Sequence, residues 1–467
     1  MSRIIVVSIR VAQQKSIATG GLAVAIECML NAHQQEGIWL GWSGEQCAQP
    51  CTELHVEHRD HYSTMTFSLT PEQHQQFYCG YANNCLWPAF HQRIDLMTFN
   101  SHEYQQYLAV NEQIAHYLST VLRPDDIVWV HDYHLIPLAH YCRKLGLNQP
   151  IGFFLHTPFP NPDALATIPR HQSWLPYLLD YEVVGLQSTP DFLNLSNSLT
   201  KVLGLSANEG RITYKNRTTL IKSYPISIAP ELIQSMATMP TPFGSDTSDY
   251  PILGDGQLIV SADRLDYSKG LPKRFESFNT LLEHFPTLKE SVNYLQIAPS
   301  TREGIESYQQ QQNELESLAG QINGKHASFN WVPLIYLNRA VAPVMLMSIF
   351  RKAHVGFIAP LRDGMNLVAK EYVAAQDAAD PGVLVLSEFT GAASEFQEGA
   401  LLVNPYDTEA TAQALYRALT MSLAERQARH QALMAHLEEF DLKRWCFSFL
   451  SDLNAVLETE ATPSLQN

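Results

Sequence analysis

A chain of 467 residues, 45% hydrophobic and 17% charged, has room for two large α/β domains and is too apolar for extended disorder or low complexity. Its 31 Lys and Arg against 47 Asp and Glu leave a formal net charge of -16, which disfavours nucleic acid and anionic membrane as partners. Any anion this chain handles must be met by cations placed locally.

The opening MSRIIVVSIR has too short an apolar run for a secretory signal, which needs about 7 to 15 residues. The apolar stretch 341–350 is broken by Pro343 and Ser348 and is about half of a membrane span. Seven cysteines, an odd number without a CxxC pair, argue against a disulfide framework or a zinc ribbon and for a reducing cytoplasm. Short β-branched runs alternating with helix-length segments predict parallel sheets with helical crossovers. In chain order, strands are expected at 3–8, 126–130, 152–155, 182–186 and 218–226, then at 257–262, 293–298, 354–359, 382–386 and 400–404. Their hydrophobicity is continuous rather than alternating, as in strands covered on both faces. The Pro-, Gly-, Ser- and Asp-rich segment 237–256 between the two sets predicts a linker. The expected organisation is an α/β chain of two Rossmann-like domains, 1–236 and 257–440, facing a shared cleft. Residues 441–467 are expected to form a helix, carrying Trp445, Phe447 and Phe449, that docks back on the first domain before a polar tail.

Ligands of open α/β sheets bind beyond the carboxyl ends of the strands, and the residues there are polar. The first strand is followed by Arg10 and a loop containing Gly20 and Gly21, which serve either a tight turn or a close approach of backbone amides to a phosphate or sugar. HDYH at 131–134 lacks the i, i+4 spacing of a helical metal pair, and Asp132 reads as a polyol acceptor or as a helix N-cap. HTPFP at 156–160 follows the third run. In the second half, Arg264 and Lys269 in DRLDYSKG are either a solvated surface or the pair of cations that a diphosphate leaving group needs. In LRDGMNLVAKEY, a strand, a glycine turn and an Asn366 cap lead into a helix whose first amides, those of Leu367 and Val368, would face phosphate. Asp363 is placed to hold sugar hydroxyls, and Glu371 is placed for the two hydroxyls of a ribose or for a role against the helix dipole. No G-x-G-x-x-G or P-loop pattern is present, which weighs against nicotinamide, flavin or P-loop chemistry.

The runs GGLAVAI, GIWLGWSGE, LWPAFH, VWVHDYHLIPL, GFFLHTPFP, DRLDYSKGLPKRF, PLRDGMNLVAKEYVAAQD and NPYD closely resemble the trehalose-6-phosphate synthase family, retaining GT-B glycosyltransferases of family 20, over roughly residues 3 to 455. The resemblance implies transfer of glucose from UDP-glucose to glucose 6-phosphate by front-face attack, without an essential metal or cofactor, in a homo-oligomer whose partners are small phosphorylated sugars and a nucleotide sugar. It places the acceptor phosphate at Arg10, Tyr78 and Arg302 and the acceptor sugar at Asp132, with Trp87 shaping the pocket. On the donor side it implies Gly20 and Gly21, His156 and Asp363 at the glucose, Arg264 and Lys269 at the diphosphate, Met365, Asn366, Leu367, Val368, Ala369 and Lys370 along the phosphate helix, Glu371 at the ribose and Val341 at the base. The tripeptide Ser8, Ile9, Arg10 lacks the Asn usual there, which would remove polar support from the first loop, and Thr157 stands beside His156 where an apolar residue is common. A related transferase, a catalytically silent sugar-nucleotide sensor and a glycoside hydrolase are the competing readings; the cation loop and the helix N-terminus argue against the last.

Overall fold

The structure is a computed structural model that describes residues 3–11, 21–32, 36–240, 256–301 and 306–460. It divides into two compact units, one of Met1–Pro225 with Lys443–Asn467 and one of Ile226–Leu442.

Among the described residues the first unit is built on nine strands: β1 (Ile4–Arg10), β2 (Gly37–Gln46), β3 (His55–His58), β4 (Tyr62–Leu69), β5 (Ile127–His131), β6 (Ile151–Phe154), β7 (Val183–Leu186), β8 (Arg211–Tyr214) and β9 (Arg217–Ser223). Their order is β3-β4-β2-β1-β5-β6-β7-β9-β8, parallel except for the β3/β4 and β8/β9 pairs at the two edges. β1 is central, with Val6 opposite both Trp39 of β2 and Trp129 of β5. Its run of buried Ile and Val needs cover on both faces, which an edge strand would not give. β2 was not expected as a strand, because Gly41 and Gly44 interrupt its apolar run. Gly41 is there for closeness: a Cβ would stand 2.1 Å from the Ser8 carbonyl oxygen on the neighbouring strand.

The second unit holds β10 (Gln257–Ala262), β11 (Val292–Ile297), β12 (Leu334–Leu337), β13 (Val355–Ile358), β14 (Val383–Ser387) and β15 (Leu401–Val403), all parallel, in the order β12-β11-β10-β13-β14-β15. Ile259, Phe275, Phe278, Tyr294, Val355, Phe357, Val385 and Leu415 form its core. In each sheet the chain reverses its direction of winding once, between β1 and β5 and between β10 and β13. Crevices at the carboxyl ends of open α/β strands form at such reversals.

Two boundaries differ from expectation. The first unit ends at Pro225, not 236, because the Pro230–Thr238 helix buries Ile233 and Ala237 while packing on the helices Pro343–Lys352 and Leu367–Ala375 of the second unit. Of the expected linker 237–256, residues 241–255 lie outside the described residues. The Leu442–Glu460 helix rejoins the first unit, where Phe449 stacks on Trp129 at 4.6 Å and 11° and Trp445 lies 4.9 Å from the same ring. Gly152 of β6 and Gly185 of β7 make room for it, since a Cβ at either would come 2.6 and 2.8 Å from Phe449 ring carbons. Burying Phe449 contributes roughly 1.5 to 3 kcal/mol. Phe447, expected on the same face, is 74% exposed, because residues two apart point to different sides of a helix.

Candidate active site

In the first unit the candidate residues cluster where β1 and β5 end. Arg10, the last residue of β1, lays its guanidinium over the Trp42 ring at 5.2 Å. It also lies against Gly44, whose φ is +92° and where a Cβ would stand 2.3 Å from Arg10 Nη2. The Tyr78 ring is 5.3 Å from Trp42 and stacks on His134 at 5.6 Å and 11° and on His74 at 5.5 Å. Arg10 and Tyr78 are thus brought together through Trp42, a residue that sequence reasoning did not single out. Burial, helped by the charge of Arg10, pushes the His74 imidazole down, so Arg10 supplies the positive charge of this cluster. Tyr78 is presented by a π-helical stretch, His74–Leu86, in which the Trp87 amide donates to the Ala82 carbonyl five residues back. Thr70 and Gln73 form a capping box at its entry. In the tripeptide that lacks the usual Asn, the Ser8 hydroxyl accepts from Trp39 Nε1 (2.8 Å) and donates to the Arg10 carbonyl (2.9 Å), while the first loop at 12–20 lies outside the described residues.

Asp132 follows β5 with φ 78° and ψ 163°, a conformation costing about 1 to 3 kcal/mol for a non-glycine residue. Its amide donates to the Phe154 carbonyl (2.8 Å), and its Oδ1 accepts from the His156 amide (3.3 Å) rather than capping the following helical turn. Asp132 and His156, at the ends of neighbouring strands, are thereby joined. His156 Nε2 lies 3.0 Å from Nδ1 of the wholly buried His131. Burial pushes His156 down to about 3 and His131 well below its usual range, so both rings are neutral. Trp87 is 6% exposed, packed on His91 at 4.0 Å and Tyr133 at 5.6 Å. Gly21 opens the Gly21–Ala32 helix; Gly20 and Arg302 lie outside the described residues.

In the second unit the loops after β10 and β13 are bonded together, the Leu361 amide donating to the Ser268 carbonyl at 2.8 Å. The Lys269 ammonium donates to Asp363 Oδ2 and lies 3.8 Å from Asp263 Oδ1. Asp263 is itself paired with the buried Arg274 at 2.7 Å. Arg264 is exposed on the same loop. Asn366, with φ 78°, caps the Leu367–Ala375 helix by accepting from the Ala369 amide (3.0 Å), while its Nδ2 donates to Asp363 Oδ2 (3.0 Å). One side chain thus caps the helix and orients the partner of Lys269. Leu367 and Val368 in the first turn are half-buried, and Met365 is buried with its carbonyl accepting from the Ala392 amide (3.0 Å). Glu371 is half-buried, and burial together with the charge of Asp263 pushes it up to about 7. Val341 is half-buried just ahead of the Pro343–Lys352 helix.

Lys370, expected on the donor side, points elsewhere. Its ammonium is fully buried, paired with Glu395 at 2.6 Å and donating to the Ile226 carbonyl at 2.9 Å. Glu395 also meets His436 Nε2 at 3.2 Å. Burial alone pushes the Glu395 carboxyl up, but Lys370 and His436 overcome it and hold the group below its usual range. Lys370 therefore ties the helix to the start of the second unit and has no ammonium to offer a phosphate. Among the described residues no group of three or more His, Cys, Asp or Glu could hold a metal ion, and no helix is long and apolar enough to cross a membrane.

Comparison with known proteins places these residues in a family. Residues 8–455 match the model of glycosyltransferase family 20. A trehalose-6-phosphate synthase of Sodalis glossinidius is 44% identical over 98% of this chain and 97% of its own, and one of Cronobacter sakazakii is 44% identical over 100% and 98%. An α,α-trehalose-phosphate synthase (UDP-forming) of Burkholderia vietnamiensis superposes with a TM-score of 0.95 at 45% identity, covering 99% of both chains. A Burkholderia xenovorans enzyme of the same description, solved with glucose-6-phosphate, gives 0.93 at 42% identity over 97% of this chain and 100% of that one. An E. coli relative bound with UDP-2-fluoro glucose gives 0.92 at 43% identity over 97% and 99%. Each unit is a wholly or mainly parallel sheet wound about one reversal, the GT-B architecture. With the family model matching almost the whole chain, this protein belongs to glycosyltransferase family 20.

Proposed function

We propose that this chain is a retaining glucosyltransferase that moves glucose from UDP-glucose to glucose 6-phosphate, giving α,α-trehalose 6-phosphate and UDP. The observation that carries this is its near end-to-end match to UDP-forming trehalose-phosphate synthases, among them relatives solved with glucose-6-phosphate and with UDP-2-fluoro glucose. Arg10 and Tyr78, joined through Trp42, with Arg302, receive the acceptor phosphate; Asp132 takes the acceptor sugar and Trp87 shapes its surroundings. His156 and Asp363 hold the donor glucose. Arg264, Lys269 and the amides of Leu367 and Val368 at the capped helix N-terminus take the diphosphate, Glu371 the ribose, and Val341 lies at the base with its backbone.

Catalysis then rests on positioning and on charge. As the glycosidic bond to the diphosphate breaks, negative charge grows on the leaving oxygen; Lys269, held by Asp363, the amides of the capped helix and the exposed Arg264 are the groups assigned to receive it. A double displacement needs a free carboxylate. Asp132 accepts from the His156 amide, and Asp363 accepts from both Lys269 and Asn366, which favours front-face attack with the departing phosphate taking the acceptor proton. These fixed cations do the work that a metal does elsewhere, so no cofactor is required. The seven cysteines are all free thiols, which supports the reading of a reducing cytoplasm; assembly as a homo-oligomer is carried by the family resemblance alone. Incubation with UDP-glucose and glucose 6-phosphate, with UDP release and product anomers followed by NMR, tests the assignment. A non-reducing α,α-linked disaccharide phosphate is expected; a β-linked or reducing product, or no transfer, would refute it.

A further inference from the structure

His131 ends β5 with its ring wholly buried among Trp129 at 4.8 Å, Phe154 at 6.4 Å and Trp445 at 6.4 Å. Its Nδ1 lies 3.0 Å from His156 Nε2, and its Nε2 has no hydrogen-bond partner among the described residues. Both rings are neutral, so one proton lies between them and two arrangements compete. If His156 donated from Nε2, His131 would carry its own proton on Nε2, a buried N–H facing aromatic carbon with nothing to accept it. If His131 donates from Nδ1, the orphan is only a ring lone pair. Buried N–H groups without acceptors are the rarer and more costly defect, so the second arrangement wins. Neutral His156 must then bear its proton on Nδ1. Gln187 places its amide nitrogen 3.5 Å from that nitrogen, and this tautomer requires the amide to be turned over so that its oxygen accepts the Nδ1 proton where no sugar is bound.

We propose that His131 is a positioning residue that sets the tautomer of His156, holding the His156 proton on Nδ1 so that this nitrogen donates a hydrogen bond to a hydroxyl oxygen of the donor sugar. The second half rests on the reading of His156 as a donor-sugar ligand; the proton assignment does not. The apolar wall that forces the choice includes Trp445, so the C-terminal helix contributes to the protonation state of a residue it does not itself present to substrate.

The test uses the full-length enzyme with 15N-labelled histidine, the His156 ring signals being identified by their loss in His156→Gln. A protonated Nδ1 and a bare Nε2 are expected at His156. In His131→Leu nothing donates to His156 Nε2, so the hydrogen bond that fixes the ring is lost, the Nε2 signal should shift to that of an unbonded lone pair, and kcat/KM for UDP-glucose should fall at least ~10-fold, with KM for glucose 6-phosphate unchanged. His131→Asn, whose amide N–H occupies the place of Nδ1–H, should recover most of that loss. Equal melting temperatures of the two variants ensure that the comparison is between folded enzymes. A wild-type His156 protonated on Nε2, or Leu and Asn variants equally impaired, would overturn the proposal. If UDP-glucose proved not to be the donor, the functional reading would fall while the ring nitrogens still reported the tautomer.

Discussion

Replacing Lys370 by Met removes an ammonium with two partners, Glu395 at 2.6 Å and the Ile226 carbonyl at 2.9 Å, and keeps most of its apolar volume. Taking one member from a buried ion pair costs about 3 to 5 kcal/mol, because the other charge stays behind in low dielectric. Here His436, 3.2 Å from Glu395, remains to compensate part of that charge, so the lower end applies, about 3 kcal/mol. For a unit of roughly 200 residues, this lowers the melting temperature by roughly 6 to 12 °C. Calorimetry is the assay, since two units need not unfold together and the loss belongs to the transition of the second. In a double-mutant cycle, Glu395→Met on top of Lys370→Met should cost less than the sum of the single changes. A variant with an unchanged melting temperature and a raised KM for UDP-glucose would refute this account, because that is the signature of a phosphate ligand.

Three further outcomes follow from the site. Gly44→Ala would push a Cβ into Arg10 at a backbone angle that favours glycine, so KM for glucose 6-phosphate should rise by ~10-fold or more while KM for UDP-glucose holds; steady-state kinetics with each substrate varied would show equal effects if Arg10 does not serve the acceptor. Lys269→Ala should lower kcat by at least ~100-fold, the usual effect of losing one group that stabilises developing charge, and near-normal turnover would remove Lys269 from the diphosphate. Glu371, pushed up to about 7 by burial and by Asp263, is a carboxylate above that pH and a neutral acid below it. UDP-glucose affinity measured by calorimetry should therefore weaken as pH falls through about 7, and Glu371→Gln should abolish the inflection; an unchanged profile in the variant would assign the titration to another group.

Strands whose residues are covered on both faces were legible from their unbroken apolar runs, as at β1 and β10, and so were the polar residues that follow them. β2 was hidden because its glycines serve neighbouring groups, the Ser8 carbonyl and the Arg10 guanidinium, that are distant in sequence. Trp42 and His74, which join Tyr78 and His134 in one cluster, were equally hidden, since the cluster depends on π-helical winding that no 3.6-residue periodicity forecasts. The engagement of the Lys370 ammonium was hidden for a simpler reason. The residue sits in a run whose neighbours face the strand ends, but helix geometry turns its side chain away, toward Glu395. His131 was weighed only as half of a metal-like spacing, whereas its burial beside His156 exists only in three dimensions.

The return of the Leu442–Glu460 helix to the first unit makes the second unit an insertion within the first. Its two ends are adjacent: the Leu442 amide donates to the Ile228 carbonyl at 2.8 Å. A segment whose entry and exit lie side by side can be excised or exchanged without stretching the host, as with inserted domains generally. The second unit is thus a cassette. A graft of residues 226–442 from a relative with another donor should change the sugar nucleotide accepted while leaving the acceptor phosphate contacts at Arg10 and Tyr78 in place.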